Sequence, residues 1–176
     1  MDKKQKVALI LTGVGTLGYI GYRYYLSKGA KKSAEEFAKK WMDKVCKRNS
    51  DHIADMYHAD GVLLGSSAES ISTGRAEIEF YFRQFVEQMP CGTIDDVSVI
   101  MRGNTAIVNG NYTFTFVEKD GDMTDNPSRF TFILERDGED WKILTHHSSP
   151  HPTKEVEDAG MYGQDDEGDD DYDDEQ

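Results

Sequence analysis

"SRFTFILERDGEDWKILTHHSS", residues 128–149, decides the fold. Phe130, Phe132 and Leu134 recur at every second position before the Asp137-Gly138 turn, and the same spacing resumes at Trp141 and Ile143. Period-two patterning on both sides of a short Asp-Gly turn predicts two paired strands. The same reading extends backwards. "IDDVSVIMRG" (94–103) and "NTAIVNGNYTFTFVEKDG" (104–121) are two further strands, with turns at Gly103-Asn104 and Asp120-Gly121. Consecutive strands joined this tightly must be antiparallel neighbours.

Further upstream the period becomes helical. In "SAEEFAKKWMDKVCKRN" (33–49), Phe37, Trp41 and Val45 recur every four residues, and Ser33 with Glu36 has capping-box spacing. "DHIADMYH" (51–58) reads as a short second helix capped by Ser50 or Asp51, and "DGVLLGSS" (60–67) as a short strand. "STGRAEIEFYFRQFVEQMP" (72–90) turns at Gly74 and reads as a third helix ending before Pro90. Three helices followed mostly by a meander predict an α+β domain, with the helices on one face of a curved antiparallel sheet.

Charge divides the chain into three. Residues 1–32 carry +6, residues 33–154 carry −7, and residues 155–176 carry −12 with no base. The expected organisation is a basic head over 1–32, a folded body over 33–152 and a disordered acidic tail over 153–176. The tail suits a basic protein partner. The body has no clustered Lys and Arg of the kind that nucleic acid requires.

"VALILTGVGTLGYIGY" (7–22) is uncharged, and extending it to Leu26 admits only Arg23. About twenty helical residues span the hydrocarbon of a bilayer. Tyr19, Tyr22, Tyr24 and Tyr25 cluster at one end, as aromatics do at a membrane interface. A cleaved signal would need a small-residue site, and Lys28 stands in its place. The expectation is an uncleaved single-pass transmembrane anchor over about 7–26. The flanking charges favour the second side by one, which points to a cytoplasmic body. Cys46 and Cys91 are too few for a disulfide framework and read as two thiols in a reducing compartment.

Regular alternation on the last strand puts Trp141, Ile143, Thr145 and His147 on one face, and Lys142, Leu144 and His146 on the other. His146 and His147 then cannot share a metal, and His151 lies past Pro150. No ligand spacing for zinc and no twelve-residue calcium loop is present. Neither a metal nor a cofactor is expected.

"MYHADGVLLGSS", "STGRAEIEFYFRQFV", "NYTFTF", "SRFTFILERDGEDWKI" and "HHSS", taken in order over residues 33–151, resemble the SnoaL-like branch of the nuclear transport factor 2-like superfamily. Within it they are most similar to the association (hub) domain of calcium/calmodulin-dependent protein kinase II and its stand-alone relatives. No kinase signature accompanies them: there is no Gly-rich phosphate loop, "HRD" or "DFG". The resemblance implies a cone-shaped domain with a pocket between sheet and helices. It implies assembly into dimers, and of dimers into rings. It also implies a pocket Arg at Arg129 and a pocket His at His147, with Tyr57 and Tyr112 beside them. Ser148 stands where hub domains carry a further Arg, which weakens the case for their anionic ligand. Enzymes of the superfamily place an Asp, Glu or His in the cone beside Tyr or Asp. The catalytic candidates here are His147, Asp60 and Tyr81. The expected function is a membrane-anchored, non-catalytic self-association module with a small-ligand pocket. The alternatives are a small-molecule isomerase, cyclase or dehydratase, and a scaffold that recruits basic proteins through its tail.

Overall fold

The computed structural model describes residues 16–152 apart from Lys119, and of residues 16–27 the backbone alone. Helix α1 spans Thr16–Cys46, α2 Ser50–Ala54, β1 Tyr57–Leu64, β2 Ser72–Thr73 and α3 Gly74–Glu87. Strands β3 (Cys91–Arg102), β4 (Thr105–Val117), β5 (Met123–Asp137) and β6 (Asp140–Pro150) complete the chain. The sheet has six strands in the order β2-β1-β6-β5-β4-β3. The last four form the antiparallel meander that the sequence predicts. β1 joins by pairing parallel with β6.

The α+β reading stands, with corrections at its edges. Ser33 does not start a helix. No proline interrupts residues 16–46, so α1 runs for 31 residues through Ser33 without a break. The Ser33 hydroxyl donates to Ala30 O at 2.9 Å and accepts from Trp141 Nε1 at 2.9 Å, which ties α1 to the β5–β6 hairpin. The second helix is only five residues long, and its cap is Asn49, whose side chain accepts from His52 N at 3.0 Å. Tyr57 lies at the start of β1 instead of on that helix.

Residues 7–15 of the expected membrane anchor, and residues 153–176 of the expected tail, lie outside the described residues. No helix among the described residues is long and apolar enough to cross a membrane. The cysteines are not free thiols: Cys46 and Cys91 form a disulfide that clamps the end of α1 to the start of β3.

The core lies between the sheet's inner face and the helices. α1 buries Ala34, Phe37, Ala38, Trp41, Met42 and Val45, the i, i+3, i+4 stripe of an amphipathic helix. α3 adds Ile78, Phe82 and Phe85. Trp41 sits at the centre, with ring centroids of Phe82, Tyr112, Phe114, Phe132 and His146 all 5.2–6.3 Å away. Such edge and stacked pairs add to the burial itself. Gly110 is required where β4 passes a bulge in β3: a Cβ there would stand 2.1 Å from Asp96 O.

One irregularity positions the functional site. On β6, Thr145 pairs with Ile133 and Ile143 with Leu134, so Leu144 is an extra residue. A bulge of this kind reverses the faces beyond it. Trp141 and Ile143 point inward, and so do His146 and Ser148; His147 points out.

Candidate functional site

The inner face of β6 carries His146 and Ser148 into the cone, and β4 carries Tyr112 towards them. β1 brings Tyr57 from the other side through its parallel pairing with β6. Two hydrogen-bonded pairs result. Tyr57 Oη lies 2.8 Å from His146 Nδ1, and Tyr112 Oη donates to Ser148 Oγ at 2.5 Å. Trp41 packs edge-on against the imidazole, 5.2 Å between centroids, and Phe132 does so at 4.6 Å.

Electrostatics hold both aromatic acids and the histidine neutral. Burial lowers the His146 imidazole to about 3, and the neighbouring His147 adds to the effect. Burial pushes the Tyr57 phenol well above its ordinary value. The Trp41 indole opposes that shift without making a hydrogen bond. Tyr112 is raised by burial too, with Ser148 opposing.

These protonation states assign the tautomer. The Tyr57 phenol keeps its proton and needs an acceptor. Its other polar neighbour, the Trp41 indole N–H, is only a donor. Tyr57 therefore donates to His146 Nδ1, and the imidazole proton sits on Nε2. That Nε2–H is buried and has no hydrogen-bond partner among the described residues, and the same is true of Trp41 Nε1–H.

A cavity of about 10 Å³ lies between His146, Ser148, Tyr112, Trp41 and Tyr81. It has room for about one water molecule. An outer groove of about 500 Å³ shares Ser66 and Phe85 with it and opens at Phe116, Val117 and Asn126. Tyr81 stands over the inner cavity, with its hydroxyl 2.9 Å from Ser67 Oγ and its ring against the backbone of Gly65.

The residues that sequence reading nominates do not converge. Tyr57 and Tyr112 are inside the cone and Tyr81 lies at its neck. His147 is exposed on the opposite face, displaced by the Leu144 bulge. Arg129 is also exposed there, because β5 presents Ser128 and Phe130 inward; its guanidinium donates to Pro150 O at 3.4 Å. Asp60 is on the surface, its side chain 90% exposed. Sequence reading missed His146, Trp41 as a polar group, and the Ser67 latch. For His146 the available signal is the adjacent apolar pair Ile143-Leu144, which regular alternation does not allow on one buried face.

Comparison with known proteins identifies the fold and the family. Residues 30–152 match the family model described as calcium/calmodulin dependent protein kinase II association domain. No curated protein matches the chain. The fold is similar to a crystal structure from Xanthomonas campestris described as a calcium/calmodulin dependent protein kinase II association domain. That protein is 33% identical, the match covers 68% of this chain and 86% of that one, and the TM-score is 0.64. An ntf2-like protein with a cystatin-like fold from Novosphingobium aromaticivorans is 14% identical over 85% of this chain and 99% of its own, with a TM-score of 0.65. A ketosteroid isomerase-like protein from Erwinia carotovora atroseptica is 18% identical over 70% and 97%, with a TM-score of 0.60. The latter two share the fold alone. The nuclear transport factor 2-like fold and the matched residues together place the chain in the calcium/calmodulin dependent protein kinase II association domain family.

Proposed function

We propose that the chain is a self-association module that performs no chemistry and pairs through the outer face of its sheet. One observation carries this reading. Val62, Thr145, Ile133, Ile107 and Ile100 lie in register across five strands on the face opposite the core. Ile100 is 42% exposed. The buried residues of α1 and α3 pack against the inner face, and no helix among the described residues covers this row. Four aliphatic side chains and Thr145, flanked by Thr131, Asn109 and Asn111, have the make-up of an interface core with a polar rim. A two-fold pairing would set the same row against itself. Light scattering tests the reading on the full chain and on residues 28–152. A mass of two or more copies at micromolar concentration supports it, and a clean monomer sinks it.

A catalytic reading has less support. An isomerase, cyclase or dehydratase needs a base that reaches its substrate. His147 and Asp60 face solvent, and His146 is held neutral with its Nδ1 engaged by Tyr57.

The module sits at a membrane in this proposal, through residues 7–26. The uncharged run 7–22 supports it, as does the continuity of the α1 backbone from Thr16 into the body. The Cys46–Cys91 disulfide favours an oxidising compartment for the body, against the one-charge hint from the flanks. Resistance to alkaline extraction from membranes checks the anchoring, and protease protection checks the side. The tail carries twelve carboxylates suited to a basic partner. Pull-down that is unchanged on deleting 155–176 removes that part.

A further inference from the structure

The bottom of the cone offers hydrogen-bond donors and nothing for them to bind. His146 Nε2–H has no partner among the described residues, and the residue is 2% exposed. Ser148 Oγ accepts from Tyr112, which leaves its own proton to donate into the same space. A buried donor without an acceptor costs about 1–3 kcal/mol. The arrangement is therefore incomplete as it stands, and what completes it is an acceptor oxygen. The cavity of about 10 Å³ admits that one atom and little more.

The groove outside defines the rest of the ligand. It shares Ser66 and Phe85 as wall with the inner cavity, and Phe116 and Val117 give it further apolar wall. Its charged lining among the described residues is Glu87 and Glu118, with no Lys, Arg or His. The two carboxylates on its wall disfavour an anion, against the one guanidinium of Arg129 that reaches the Pro150 carbonyl, and the neutral donors beneath lack the positive charge that a buried carboxylate needs.

We propose that the cone binds a small neutral carbonyl compound, a ketone or amide, whose oxygen accepts from His146 Nε2 and Ser148 Oγ while its apolar body lies in the outer groove. Tyr81 swings from Ser67 to admit it. The site does not depend on the association reading, since its two donors, His146 and Ser148, lie on the inner face of the sheet.

Calorimetric titration of the full chain with 2-hexanone and with hexanoate tests the charge preference at equal chain length. 2-Hexanone should bind saturably and hexanoate at least about tenfold more weakly. His146→Phe, which keeps a ring but removes the donor, should weaken 2-hexanone about tenfold. Because that variant also loses the Tyr57 hydrogen bond and can unfold, nitrogen-labelled histidine in the unaltered chain supplies a second measurement. His146 should show the Nε2–H tautomer, with a proton shift that saturates as 2-hexanone is added. Equal or tighter hexanoate binding overturns the proposal. So do an unaffected His146→Phe variant, an Nδ1–H tautomer, and an Nε2–H signal that does not respond because only an ordered water fills the cavity.

Discussion

Tyr57 Oη and His146 Nδ1 stand 2.8 Å apart in the core, joined by a hydrogen bond between two strands that meet only because β1 pairs parallel with β6. The bond closes the sheet across 89 residues of chain. Removing the phenol leaves Nδ1 buried and unsatisfied, so Tyr57→Phe should cost about 1–3 kcal/mol of stability. Urea denaturation monitored by far-UV circular dichroism measures it. A midpoint unchanged from the parent would show that the pair contributes nothing.

The same histidine makes the fold acid-sensitive. Its folded value is about 3 against an ordinary value of 6.5, and burial is the main cause. The unfolded chain therefore binds the proton more readily than the folded one, and stability falls as pH falls from about 6.5 towards 3. At pH 5 this one group should remove about 2 kcal/mol relative to pH 7. Comparing the pH dependence of the parent with that of His146→Phe isolates the term. Identical slopes between pH 5 and 7 would place the acid sensitivity elsewhere.

The Cys46–Cys91 disulfide closes a loop of 45 residues. Chain-entropy reasoning assigns a loop of that length about 4 kcal/mol of stabilisation. Reduction, or paired replacement by serine, should lower the denaturation midpoint accordingly and loosen the end of α1 first. Mass spectrometry of the unreduced chain should find no free thiol. Two freely alkylated cysteines in the purified protein would contradict the clamp.

Gly65 holds the neck of the cone open to Tyr81. A Cβ at Gly65 would stand 2.4 Å from the Tyr81 ring, and the ring is stacked on Phe85 at 6.0 Å. Gly65→Ala should therefore displace Tyr81, break its bond to Ser67 and cost about 1–3 kcal/mol, the usual penalty for overpacking. Burial raises the Tyr81 phenol and Ser67 opposes that, so its titration is a direct probe of the displacement. An unshifted tyrosine titration in this variant would place the ring elsewhere.

The fold was legible where the physics is local. Alternation around Asp137-Gly138 and Gly103-Asn104 located the meander, and the Phe37, Trp41, Val45 spacing located the helix that covers it. What was not legible depended on contacts distant in sequence. The extra residue at Leu144 arises where β6 is held between β5 and the parallel strand β1, and that bulge exchanged the faces of His146 and His147. Arg129 fell outside for a related reason: its register opposite Asn111 and Ser149 belongs to the outer face. Ser33 resembled a cap because its spacing to Glu36 is correct, but nothing upstream stops the helix, and its hydroxyl serves Trp141 instead. The cysteines paired through topology, which brings the end of α1 to the start of β3, and no spacing motif records that.

Sedimentation equilibrium of the parent beside Ile107→Glu/Ile133→Glu decides whether the chain pairs through the outer face of its sheet. Both isoleucines are half-buried on the face opposite the core, so the charges should leave the far-UV circular dichroism unchanged while like charges meet across the interface. The parent should be oligomeric and the variant folded and monomeric at the same micromolar concentration. A variant that keeps the parent's mass, or a parent that is already a monomer, would contradict it.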